Sequence, residues 1–272
     1  MAIITLTTDY GFRDFYVASA KGVLNSRFPE AAIVDISHEI DLYNIGMGSY
    51  VLKNAIEHFP DKTIHVFAVD ASLSQRTDYL VMEYENQYFI APDNGALSLI
   101  LVDDEPAKLY KTIATGQKSL FAYFSGLIEK IIAADFSGIG AEIDKEGMVQ
   151  STELRPQILS EGNAIKGHIV YEDRYGNAIT NVSRKLFEDI GQGRAFEMLV
   201  SLKKISRINR FYDDFNTADK PLNDYHGQLF SIFNQNDYLQ LSIYKGIPGR
   251  GGTVKSLLGL TYRDSFVITF KE

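Results

Sequence analysis

The hydrophobic period changes once along the chain, and that change constrains the fold more than any other feature. In the first half, strand-like runs alternate with runs of helical period. "AIITLTTD" reads as a strand, and "DFYVASAKGVLNSRF" as a helix with Tyr16, Val17, Ala20, Val23 and Leu24 on one face. "AAIVDIS" is a second strand, and "NIGMGSYVLKNAIEHF" a second helix that ends before Pro60. "TIHVFAVD" is almost continuously apolar, which predicts a strand buried on both faces. "YLVMEYENQYFIAP" predicts a hairpin joined at Glu85-Asn86-Gln87, and "LFAYFSGLIEKIIAADF" a long helix. Strands alternating with helices predict right-handed crossovers and a largely parallel sheet.

After about residue 150 the texture changes. "STELRPQILSEGNAIKG" is polar and contains Pro156, as a linker does. Short strands with turn signals follow: "KGHIVYED", "AITNVS", "AFEMLVSL", "GQLFSIFN", "YLQLSIYKG" and "DSFVITF". One short helix near "SRKLFEDIG" interrupts them. The expected organisation is an α/β N-terminal domain over 1–150, a linker over 151–163 and a smaller all-β, barrel-like domain over 164–272.

Composition removes several function classes. The chain has no cysteine, which excludes disulfides and thiolate zinc sites and suits a reducing, cytoplasmic setting. No apolar run approaches the roughly 20 residues of a membrane helix, and no secretory leader is recognised at the start. A formal net charge of −8 argues against a nucleic-acid partner, which calls for a basic stripe. The five histidines lack metal-helix spacing, so no metal site is expected.

Four segments carry chemistry. Asp9 and Asp14 flank Gly11 where the first strand gives way to the first helix. Such acids read either as turn or cap residues or as acceptors for ligand hydroxyls, as acids near strand ends are for a ribose. Asp70 ends the third strand and is followed by Arg76 and Asp78 on a polar loop, a ligand wall or a surface ion pair. Asn94 stands in the turn "APDNGALS". In "YEDRYGNAITNVS", Asp173, Tyr175 and Asn177 read either as a tight turn or as a base-reading set. The Asn177 carboxamide offers a donor and an acceptor together, which suits the edge of adenine. The glycine-rich "GIPGRGGTVKS" matches neither phosphate-loop pattern and reads as a lid or a hairpin connection.

Taken in order, "TTDYGFRDFYVASAKG", "IVDISHEID", "VDASLSQR", "APDNGALS" and "DRYGNAITN" resemble the S-adenosyl-L-methionine hydroxide adenosyltransferases, relatives of fluorinase and chlorinase. The resemblance runs to "SLLGLTYRDSFVITF", nearly the whole chain. It implies an α/β domain, a β-barrel domain and a homotrimer, with S-adenosylmethionine held between the N-domain of one subunit and the C-domain of the next. It implies attack of water on the ribose C5′, giving adenosine and methionine, with no cofactor beyond the substrate. Asp9 would hold the ribose diol, and Asp14 and Asp173 the methionine amino group. Tyr43 and Tyr212 would stack near the nucleoside, with Asn177 and Tyr175 at adenine. Asp70 and Arg76 would be the polar pair that positions or activates water.

Two departures from the family pattern stand out. The hydrolytic members place a His before a "GRD" segment, whereas this chain has "ATGQKSLFAYF", with the matching position near Gly116. The Asp70-to-Arg76 spacing is also one residue shorter. The expected function is S-adenosylmethionine hydrolysis. The alternatives are an adenosyl-ligand binding protein without turnover and, outside the family, a nucleotide enzyme using "GIPGRGG" as a phosphate nest.

Overall fold

A computed structural model of the chain describes residues 1–102, 104–151, 155–250 and 252–271. The chain divides into two compact units, Met1–Ser151 and Thr152–Glu272. It is a mixed α/β protein with two sheets.

The first unit runs β1 (Ile3–Thr8), α1 (Tyr16–Arg27), β2 (Ala32–Ser37), α2 (Ile45–Ile56), β3 (Ile64–Ala68), β4 (Asp78–Tyr84), β5 (Gln87–Pro92), α3 (Ala96–Leu101), β6 (Lys108–Ile113), α4 (Leu120–Ile132) and β7 (Ala141–Glu142). Its seven-stranded sheet has the order β2-β1-β3-β5-β4-β6-β7. β1 pairs in parallel with both β2 and β3, and β3 with β5. The remaining neighbours, β5-β4, β4-β6 and β6-β7, are antiparallel. The expected largely parallel sheet therefore holds for one half only. The reversal follows from the hairpin at Glu85 and Asn86, whose positive φ values of 50° and 59° turn β4 straight back into β5.

Helices cover both faces. Ala20 and Leu24 of α1 join Phe124 and Ile128 of α4 over one face, while Leu52 and Ile56 of α2 join Leu97 and Ile100 of α3 over the other. β3 is buried at every position, as its unbroken apolar run predicts. Tyr16 departs from the expected α1 stripe. It is exposed, because it occupies the first position of α1, where the helix emerges from its loop.

The second unit runs β8 (Gln157–Leu159), β9 (Ala164–Glu172), β10 (Ala178–Ser183), α5 (Arg184–Gly191), β11 (Phe196–Val200), β12 (Lys203–Ile205), β13 (Ile208–Asn209), β14 (Leu229–Phe233), β15 (Tyr238–Ile243), α6 (Val254–Leu258) and β16 (Ser265–Phe270). Its nine strands have the order β12-β11-β16-β9-β10-β15-β14-β13, with β8 also pairing β9. All neighbours are antiparallel except β13-β14. A core of Ile165, Val182, Met198, Leu241 and Ile268 fills its inner face.

One polar chain crosses the core of the first unit. His65 Nδ1 lies 2.7 Å from Thr5 Oγ1, and His65 Nε2 lies 2.9 Å from Gln87 Oε1. The ring stacks on Phe89 at 4.9 Å. Burial lowers the His65 pKa to about 4, against the partial opposition of Gln87. A group depressed in this way binds its proton more readily in the unfolded chain, so stability is full above pH 6.5 and declines as pH falls toward 4. Chemical denaturation at pH 7 and pH 4.5 should show wild-type protein losing on the order of 2–3 kcal/mol in the acid sample. His65→Gln should lose clearly less over the same interval.

Candidate functional site

In an open sheet of this kind, ligands gather beyond the carboxyl ends of the strands where the strand order reverses. Here the chain leaves β1 toward β2 on one side and then returns to β3 on the other, so that point lies between β1 and β3. Asp9 follows β1 directly, and Asp70 comes two residues after β3.

Asp9 is nearly buried, and its Oδ2 accepts two backbone hydrogen bonds, from Tyr43 N at 3.0 Å and Asp70 N at 3.2 Å. Both donors sit in left-handed backbone, with φ of 63° at Tyr43 and 49° at Asp70. Tyrosine seldom adopts that region, while aspartate is among the side chains that tolerate it best. One carboxylate oxygen thus gathers three expected site residues. Asn94 joins them from the end of β5. Its Nδ2 donates to Val69 O at 3.1 Å, and its Oδ1 accepts from Ala96 N at 3.2 Å. Tyr10, beside Asp9, has its hydroxyl pKa pushed up to about 12 by burial, then by Asp9 and Tyr79, and so stays a neutral donor.

Asp9 therefore does not cap α1. The helix starts after Phe15 with no side-chain cap, and Asp14 is exposed in the approach to it. The loops around Asp9 instead present a rim of exposed apolar side chains: Phe12, Phe15, Tyr16, Leu42 and Tyr43. Tyr43 is 70% exposed, so its ring is available as a stacking surface.

Asp70 and Arg76 do not form an ion pair. Both are exposed, and the Arg76 backbone N–H donates to Ser74 Oγ at 3.0 Å. Their loop is propped from below by Tyr79, a residue that no sequence signal marked. The buried Tyr79 hydroxyl donates to Ser72 O at 2.5 Å and accepts from Ser74 N at 3.2 Å. Near Gly116, where the family pattern calls for His, an exposed stretch that includes Lys118 leads into α4. Ser119 caps that helix, accepting from Ala122 N at 3.2 Å.

In the second unit, Asp173 organises a tight turn. Its Oδ1 accepts from Tyr175 N at 2.9 Å and Asn177 N at 3.0 Å, and its Oδ2 accepts one amide N–H of Asn177 at 2.8 Å. Asn177 is buried beside β10, while Tyr175 is 78% exposed. Because β10 pairs with β15 through Ala178 and Leu241, Asn177 lies at the sheet end where β15 finishes. Tyr212 reaches the same end. Its hydroxyl lies 3.4 Å from Ile243 O, and its ring packs on Phe230 and Tyr244.

The glycine-rich segment is not a simple hairpin connection, because a helix stands between β15 and β16. The segment is pinched shut, since a Cβ on Gly246 would fall 2.0 Å from Gly252 O. It then enters α6 through a capping box of Thr253 and Ser256. That helix start abuts the Asp173 turn, where Val254 N donates to Gly176 O at 3.0 Å.

Residues 4–127 match the model of the SAM hydroxide adenosyltransferase N-terminal domain, and residues 167–267 match the C-terminal domain model. The chain belongs to the SAM hydroxide adenosyltransferase family. It is 30% identical to a protein of Methanocaldococcus jannaschii named (R)-S-adenosyl-L-methionine hydrolase, over 67% of each chain. A Salinispora tropica protein of the same name is also 30% identical, over 98% of this chain and 97% of its own. Among solved structures, an uncharacterized conserved protein from Thermotoga maritima superposes with a TM-score of 0.77 at 22% identity, covering 99% of this chain and all of that one.

Two substitutions probe this geometry. Asp9→Ala strands the N–H groups of Tyr43 and Asp70 and should cost about 2–3 kcal/mol in urea unfolding. Gly176 has φ of +78°, and a Cβ there would lie 2.3 Å from Thr253 Cγ2. Gly176→Ala should therefore lower stability by about 2 kcal/mol, with Thr253→Ser recovering part of the loss in the double variant.

Proposed function

We propose that this protein hydrolyses S-adenosyl-L-methionine to adenosine and L-methionine by attack of water on the ribose C5′. The observation that carries this reading is Asp9, a carboxylate at the sheet's switch point that holds both Tyr43 and the Asp70 loop. Membership of the family and the names of its relatives point the same way.

The substrate's sulfonium is already a good leaving group, so no acid is needed to expel methionine and no cofactor to activate it. The water oxygen bonds to C5′ as the C5′–S bond breaks, and that electron pair returns to sulfur to give a neutral thioether. What remains is to place water in line and take up its proton. We assign that task to Asp70, with Arg76 balancing charge at the same loop. Asp9 holds the ribose diol through its second oxygen, and Tyr43 offers its ring to the nucleoside. In the second unit, Asn177 reads adenine beside Tyr175 and Tyr212. Asp14 and Asp173 supply negative charge for the methionine ammonium, and Asn94 shapes the wall next to Asp70. A homotrimer completes the proposal. Binding without turnover is not favoured, since the relatives at 30% identity are named for hydrolysis.

Purified protein incubated with S-adenosyl-L-methionine should release adenosine and methionine in equal amounts on chromatography. Asp70→Ala should reduce the rate at least about a hundredfold while leaving the melting temperature within a few degrees. No adenosine above a heat-inactivated control would overturn the assignment. Sedimentation at micromolar concentration should give three times the chain mass.

A further inference from the structure

The sequence "DISH" closes β2 with a histidine that the proposed reaction leaves unused. His38 is 1% exposed. Its Nδ1 lies 2.8 Å from Thr8 Oγ1, and Thr8 is itself fully buried at the end of β1. Thr8 Oγ1 also accepts from Tyr10 N at 3.2 Å. Gly11 N donates to His38 O at 2.7 Å. Thr8, before Asp9, thus bonds to the imidazole directly, Tyr10 after it is linked to the ring through the Thr8 hydroxyl, and Gly11 is held by the His38 backbone.

The far side of the ring is also engaged. His38 Nε2 stands 3.1 Å from Asp35 Oδ1, close to the carboxylate but without hydrogen-bond alignment. Asp35 Oδ2 is 2.6 Å from Lys21 Nζ on α1. Burial works to raise the Asp35 carboxyl, but Lys21 and His38 together hold it below its ordinary range, so it faces the ring as an anion. Phe12 covers the ring edge-on at 5.1 Å. An anion beside Nε2 favours the tautomer with its proton there. Nδ1 then accepts the Thr8 hydroxyl proton, which leaves a Thr8 lone pair for Tyr10 N–H.

We propose that His38 is a positioning residue, fixing through Thr8 the backbone from which Asp9 reaches the ribose diol. The inference rests on the reading of Asp9 as the diol acceptor. Lys21 and Asp35 orient the ring, the ring orients the Thr8 hydroxyl, and that hydroxyl sets the Tyr10 amide next to Asp9. A buried histidine serving only the core would affect stability without affecting which nucleoside the protein prefers.

The test is calorimetric affinity of the full chain for adenosine and for 2′,3′-dideoxyadenosine, with melting temperatures measured alongside. Wild type should prefer adenosine. Thr8→Val, an isosteric loss of the hydroxyl, should reduce that preference by about tenfold. His38→Gln should do the same, because its amide reaches toward Asp35 and away from Thr8. His38→Asn, whose amide falls where Nδ1 stood, should restore most of the preference. A wild type with no preference overturns the diol reading, and this inference with it. A wild-type preference that survives intact in Thr8→Val overturns the inference alone, even if the variant melts lower. Should His38→Gln fail to fold, Thr8→Val decides.

Discussion

Everything at the switch point hangs on one carboxylate oxygen. Asp9 Oδ2 meets N–H groups that lie 34 and 61 residues away along the chain, and both belong to residues with left-handed backbone. Such backbone costs on the order of 1 kcal/mol or more at each position, whereas a hydrogen bond to a charged acceptor contributes about 1.5–3 kcal/mol. Two such bonds offset the two strained residues. The strain serves a geometric end, since it lets the chain turn sharply after β3 and before α2 while keeping Tyr43 and Asp70 at the surface.

The two halves of the first sheet divide the labour. The parallel half delivers β1, β2 and β3 to a common edge, which is why residues distant in sequence meet there. The antiparallel half adds support. Tyr79 at the start of β4 holds the Asp70 loop by its hydroxyl, and its ring packs against Tyr123 and Phe124 of α4. Loop, strand and helix are fixed by one side chain that touches no candidate ligand group.

The sequence made the strand–helix alternation of the first unit readable, because hydrophobic period is local. It also made the hairpin at Glu85-Asn86 and most long strands of the second unit readable. β6 escaped because "KLYKTI" spaces its two lysines three apart, breaking the strand alternation, and both of its end positions are exposed. α3 was hidden behind the turn signal of Asn94-Gly95, and β13 is only two residues long. α6 left a trace that glycine-rich flanks obscured, namely Thr253 and Ser256 at capping-box spacing. At the site, the positions of Asp9 and Asp70 at strand ends marked them as candidates. Their mutual hydrogen bond, the Tyr79 prop and the absence of an Asp70–Arg76 pair are products of tertiary approach, which spacing does not encode.

The contact between Gly176 and Thr253 has an evolutionary consequence. Where two backbones leave room for only one set of atoms, volume gained on one side has to be surrendered on the other. The turn at residues 173–177 and the segment entering α6 therefore cannot drift independently. Across diverged relatives they should covary as a single inherited block, despite the seventy-odd residues that separate them in the sequence.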